Sequence, residues 1–220
     1  MAGDLFIIGF VSLIVIIAGI KKSAIGEIVA FLLVIAVSLI RTGGLTQLGF
    51  YRHVNWPLII LTGFALGILM ALASTVVFEP LAERLTGKSH DFSSYENLRG
   101  NFTLLLKWIP FVWLWVSVIE EVVFRGFILK GLITILGGGY LGIVTGLFLS
   151  SIIFGLPHMY QGKSGVLSTG IVGLGLGLIF VIAGFNLWLL IMTHGVTDTM
   201  GLAMIYSGMD RFLKKKLSIF

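Results

Sequence analysis

The chain has no cysteine among its 220 residues, which removes thiol catalysis, disulfide staples and thiolate metal sites together. Charge is nearly as scarce: 11% of residues are Asp, Glu, Lys or Arg, against roughly a quarter in a soluble domain. With 57% hydrophobic residues and a mean hydropathy of +1.07, such a chain needs lipid. Its basic residues outnumber the acidic ones, giving a net charge of +5 and a pI near 9.6. They are scattered between apolar runs rather than clustered with interleaved aromatics, which argues against a nucleic-acid partner and for loop charge that sets topology. No positively charged region precedes the first apolar run at Met1-Ala2-Gly3-Asp4, so that run is expected to be a retained span, not a cleaved signal peptide. Internal repeats and low-complexity stretches are also lacking.

What the chain does have is apolar runs, at about 5–20, 24–40, 58–78, 102–135, 141–157, 166–183 and 187–206. Each approaches the length that a hydrocarbon core of about 30 Å demands of a helix. They predict an all-α fold: one polytopic transmembrane helical bundle over 1–220, with about seven spans, in the cell membrane. The first two, at 16 or 17 residues, suit little tilt or a locally thinned bilayer. The fourth is long and carries charges, so it is expected to protrude or to break near Pro110. Placing the C-terminus inside puts eleven Lys and Arg on one face, among them Lys21, Lys22, Arg99 and Lys214, and three on the other, Arg41, Arg52 and Lys130. That asymmetry predicts N-terminus out and C-terminus in. Tyr51, Trp56, Tyr140 and Trp188 fall near the expected outer ends, and Trp108, Tyr160 and Tyr206 near the inner ones. The polar stretch 79–101 reads as a cytoplasmic loop with some amphipathic helix. Gly173 and Gly177 form a small-xxx-small pair suited to close helix packing.

Chemistry is concentrated in three places. In Ser117-Val118-Ile119-Glu120-Glu121-Val122-Val123-Phe124-Arg125, two carboxylates and a guanidinium interrupt the fourth span. Each ionised group costs about 2.5 to 3.5 kcal/mol at a helix centre, so a paired or solvated pocket is implied. Glu121 and Arg125 share a helix face in the favourable acid-first order; Glu120 is turned by about 100° and left free. The plainer reading is a structural salt bridge with one spectator Glu. Two further sites weigh against it: Phe154-Gly155-Leu156-Pro157-His158 at the end of the fifth run, and His194-Gly195-Val196-Thr197-Asp198 within the seventh. A lone His in a span is more often a hydrogen-bonded core residue. Two His, a free Glu and an Asp brought from separate spans look like a convergent site.

These three motifs, in this order, resemble the CPBP family of membrane proteases (CAAX protease and bacteriocin-processing, or Abi), which includes the prenyl-protein endopeptidases. The resemblance covers about residues 98–205, the expected protease core, and rests on Glu120-Glu121 with Arg125, Phe154 with His158, and His194 with Asp198. It departs at Asp198, where the prenyl-protease branch typically carries Asn. The resemblance implies an intramembrane endopeptidase acting on a peptide or protein substrate in or at the membrane. Glu120 would be the general base, with His158 sharing or orienting the water. His194 would donate to the oxyanion or hold the water, and Asp198 would orient that imidazole; Glu121, Arg125 and Phe154 support them. Zinc is left open as a cofactor, because Glu120, His158 and His194 offer a two-His, one-carboxylate set. The soluble signature His-Glu-x-x-His is absent, and metal-free catalysis is the reading preferred. The alternatives are a proton-coupled transporter, since intramembrane Glu and His also mark proton relays, and a peptide-binding immunity or scaffold protein with reduced catalysis. Lack of an inverted repeat weighs against the transporter.

Overall fold

The computed structural model describes residues 2–217, and every regular element among them is helical. Four of the helices start at a side-chain cap that the sequence supplies. Ser23 caps α2 (Ala24–Thr42), Asn55 caps α3 (Trp56–Ala73), Asn101 caps α5 (Phe102–Phe111) and Asn186 caps α10 (Leu187–Ser207), each accepting a first-turn backbone N–H. Such caps satisfy donors that the helix itself cannot. The remaining helices are α1 (Ala2–Ile20), α4 (Glu79–Thr86), α6 (Val118–Glu120), α7 (Lys130–Ile135), α8 (Tyr140–Gly155), α9 (Gly162–Ile182) and α11 (Met209–Leu217).

Among the described residues, six stretches are long and apolar enough to cross a bilayer: Gly3–Ile20, Ala24–Thr42, Trp56–Thr86, Phe102–Ile135, Tyr140–Ile182 and Leu187–Ser207. The expected runs 141–157 and 166–183 are the two arms of the single stretch Tyr140–Ile182, so six stretches correspond to the seven runs of the sequence. That stretch folds back at a 3₁₀ turn, Leu156–Gln161, so α8 and α9 lie side by side. A Cβ at Gly173 would stand 2.7 Å from the Phe154 ring, and one at Gly177 2.9 Å from Leu147. The partner recedes along the chain as the glycine advances, so the pair is antiparallel, and the small residues set its close approach.

The loops segregate to two ends of the bundle. At one end Asp4 pairs with Arg41, the Tyr51 hydroxyl donates to the Gly184 carbonyl at 2.9 Å, and Trp188 Nε1 donates to the Tyr51 carbonyl at 3.1 Å. At the other, the Asp91 N–H reaches the Gln161 carbonyl at 3.1 Å and the Gly100 N–H the Tyr206 carbonyl at 3.0 Å. Burial is inverted relative to a soluble protein: large apolar side chains such as Ile25, Ile40, Leu114, Leu141 and Ile182 are exposed on the outside, where a bilayer would meet them. Inside, Val122, Ile128, Leu129, Leu176, Phe180 and Leu190 are fully buried around α9 and α10. A smaller core of Leu98, Leu105, Val112, Leu202 and Ile205 fills the second end.

Candidate active site

Of the two expectations for the helical stretch Phe102–Ile135, protrusion or a break near Pro110, the break is not seen; the proline sits inside α5. The missing N–H is absorbed because the helix widens into π turns at Val112–Ser117 and again at Glu121–Leu129, and Ser117 Oγ donates five residues back to the Val112 carbonyl at 2.9 Å. Such widened turns occur often at functional sites. Here the two carboxylates sit at the junction, Glu120 ending α6 and Glu121 opening the second π segment.

Glu121 is fully buried, and its Oε1 accepts two hydrogen bonds, from Arg125 Nη1 at 2.9 Å and from His194 Nδ1 at 2.7 Å. Arg125 is equally enclosed. Its guanidinium lies 4.0 Å from the centre of the Phe154 ring, and its Nη2 donates to the Gly173 carbonyl at 3.3 Å. Gly173 therefore both makes room for Phe154 and offers its carbonyl. The charge of Arg125 is consumed by Glu121, so Glu120 is left without it. The cation-forming group closest to Glu120 is His194, whose Nε2 lies 3.9 Å from Glu120 Oε2.

His194 is thus held between carboxylates on both ring nitrogens. Glu121 meets this imidazole at Nδ1, a contact that sequence spacing did not suggest. Asp198 stands on the other side, with Oδ2 3.5 Å from Nε2. His158 occupies the 3₁₀ turn with backbone angles φ −87° and ψ 19°, the bridge region where many active-site residues sit. Its Nδ1 lies 3.1 Å from the Phe154 carbonyl. A carbonyl can only accept, so Nδ1 carries the hydrogen and Nε2 presents a lone pair.

Glu120, His158, His194 and Asp198 all line one cavity of about 540 Å³. The cavity has further polar walls that sequence reasoning passed over. Glu27 of α2 lines it and accepts from Trp115 Nε1 at 3.3 Å. Its signal was a lone acid inside an apolar run. His90, Phe92 and Tyr95 enter from the polar stretch that read as a loop. Burial, reinforced by the nearby Lys214 ammonium, pushes the pKa of His90 down to about 4, so this third imidazole is neutral at physiological pH. Burial also raises the Tyr95 hydroxyl above its ordinary value.

Among the described residues, no three His, Asp or Glu side chains are gathered closely enough to hold a metal ion. Glu120, His158 and His194 line one cavity but do not form such a group.

Residues 102–200 match the family described as type II CAAX prenyl endopeptidase Rce1-like. That segment, just under half of the chain, is similar to the Rce1-like CAAX protease family. It holds the Glu-Glu-x-x-x-Arg, Phe-x-x-x-His and His-x-x-x-Asp sets, and with six apolar spanning stretches it makes the chain a multi-pass membrane enzyme of hydrolase type. No curated protein and no solved structure matches the chain.

Proposed function

We propose that the chain is an intramembrane endopeptidase that hydrolyses a peptide bond of a membrane-associated or lipid-anchored substrate by glutamate-activated water. The observation that carries this reading is the division of labour between adjacent carboxylates: Glu121 neutralises Arg125 and holds His194, while Glu120 faces the cavity with no guanidinium beside it. A base must be able to take a proton, and a carboxylate tied to a guanidinium is a poor one.

The water is placed between Glu120 and the Nε2 lone pair of His158. As its oxygen attacks the scissile carbonyl, its proton passes to Glu120, and the carbonyl oxygen gains negative charge. With Nδ1–H committed to Glu121, a proton on Nε2 turns His194 into a donor aimed at the cavity, where it stabilises that oxyanion. Asp198, beside the same nitrogen, keeps this proton hydrogen-bonded when no substrate is present. Collapse of the tetrahedral intermediate breaks the C–N bond, and Glu120 returns the proton to the departing amine. Arg125, Glu121 and Phe154 touch no reacting atom in this scheme; they fix His194 and the turn bearing His158.

The fold supports seven crossings with the N-terminus outside and the C-terminus in the cytoplasm. The α8–α9 hairpin crosses twice, and the end of the bundle that carries Lys21, Lys22, Arg99 and Lys214–Lys216 is the end toward which the cavity lies, consistent with positive residues staying inside. The test of the chemistry is Glu120→Gln, assayed by comparing membrane peptides released in cells carrying parent or variant. Peptides present with the parent and absent with a correctly inserted variant support the reading; identical profiles overturn it.

A further inference from the structure

One wall of the cavity is not a spanning helix. It is the strap that follows Gly87, a glycine in the left-handed region at φ 64° closing α4. His90, Phe92, Ser94 and Tyr95 of this strap line the cavity. Its far end is anchored: Leu98 is buried among Leu105, Val112, Leu202 and Ile205. Arg99 donates two parallel hydrogen bonds to Asp210 of α11, at 2.9 and 2.8 Å, and a third to the Ile205 carbonyl at 3.0 Å. The near part is held by polar contacts and by the half-buried rings of Phe92 and Tyr95 against the same cluster. The Asp91 N–H reaches the Gln161 carbonyl at 3.1 Å, and His90 Nδ1 lies 3.3 Å from Ser168 Oγ.

Beside this near part, α11 contributes Lys214. Its ammonium bridges Glu79 at 2.8 Å and Glu83 at 3.3 Å and lies 5.1 Å from the centre of the Phe92 ring. Glu83 Oε1 in turn accepts the His90 N–H at 2.9 Å. Lys214, Glu83, His90 and Phe92 therefore form one connected fastening. The Arg99–Asp210 pair keeps α11, and with it Lys214, in place.

We propose that residues 88–96 are a gate over the water-side mouth of the cavity, latched by Lys214 of α11. This inference rests on the reading of the cavity as a site of peptide hydrolysis. A space of about 540 Å³ accommodates a ligand of ordinary drug size, whereas a polypeptide continues on both sides of its scissile bond and must pass out through a wall. The other walls are spanning helices and the 3₁₀ turn that joins α8 to α9; the strap combines a glycine pivot, a short segment and polar attachments, which are the properties of a moving element.

The cysteine-free chain allows a test that does not depend on hydrolysis. A single reporter, Thr75→Cys, lies in the cavity wall and is buried; its rate of reaction with a membrane-impermeant maleimide reads gate opening in the full-length protein in membranes. Adding Lys214→Ala should raise that rate about fivefold to tenfold, the size expected for losing a partly buried ion-pair network, and Lys214→Arg should leave it near the parent value. A control reporter, Ile59→Cys, buried in the opposite half of α3, should react at the parent rate throughout. Unchanged labelling at Thr75→Cys on adding Lys214→Ala overturns the gate. So does an equal rise at Ile59→Cys, because Lys214 would then be holding the whole fold. Either result leaves the proteolytic reading standing, and loss of proteolysis alone does not touch the gate.

Discussion

Glu121 offers the sharpest separation between holding the fold and positioning the chemistry. Its Oε1 is shared by Arg125 at 2.9 Å and His194 at 2.7 Å, and both charged partners are buried. Glu121→Ala leaves Arg125 with only the Phe154 ring and the Gly173 carbonyl, a stranded cation that costs about 3 to 5 kcal/mol. The variant should express poorly and melt well below the parent, followed in detergent by tryptophan fluorescence. The double variant Glu121→Leu, Arg125→Met removes both charges while keeping volume, and replacements of that kind are often neutral or stabilising. It should therefore recover most of the lost stability. Turnover should not recover with it, because His194 Nδ1 has lost its acceptor and the ring is free to rotate. A double variant that regains parent turnover would refute the positioning role, and a Glu121→Ala protein as stable as the parent would refute the ion-pair argument.

Glu120→Gln should leave the protein inserted and folded while lowering turnover by at least about 10² to 10⁴, the range for losing a general base, measured on any peptide found by the membrane-peptide comparison. His194→Ala should lower turnover by about 10² to 10³, as expected for one oxyanion donor; a smaller loss would remove that role. A reporter fused after Phe220 should report the cytoplasm and one before Met1 the outside, and both ends on one side would overturn the seven-crossing topology. Purified protein should contain far less than one equivalent of zinc and keep its activity in a strong chelator; stoichiometric zinc lost in Glu120→Ala, His158→Ala and His194→Ala would replace the metal-free scheme. At Asp198, Asn should be tolerated better than Leu if a hydrogen-bonding partner for Nε2 is what matters, and equal losses would show that the negative charge is needed.

Hydropathy alone carried the fold a long way, because a helix in lipid must satisfy its own backbone, and apolar length is the visible trace of that demand. It also marked the reversal between the fifth and sixth runs, where His158, Gln161 and Lys163 interrupt the apolar sequence and the chain turns through a 3₁₀ segment. The proline at 110 looked like a possible break, yet it lies inside a helix that continues into a π segment two residues later. In the site, the i,i+4 spacings of Glu121 with Arg125 and His194 with Asp198 were legible, and both contacts exist. Which carboxylate meets which nitrogen of His194 was not legible. That contact joins residues 73 apart in the chain, and sequence spacing says nothing about so distant a pair. His90 escaped notice for the same reason: a histidine in a polar loop gives no sign that the loop folds over a cavity.

The adjacency of Glu120 and Glu121 also has a mechanical consequence. Consecutive residues on a helix point in directions about 100° apart, so one turn sends Glu121 into the interface with α9 and α10 and Glu120 into the cavity. Glu121 grips His194 on α10 and, through Arg125, the Gly173 carbonyl on α9. Phe154, pressed between Arg125 and Gly173, fixes the end of α8 whose carbonyl holds His158. Glu120, His158 and His194 come from three different spans, yet one buried ion pair ties all three together. Helices packed in lipid gain little from hydrophobic driving force between them, so a polar tie of this kind is an effective way to hold three spans in register, and the same residues that make the site expensive to bury keep it assembled.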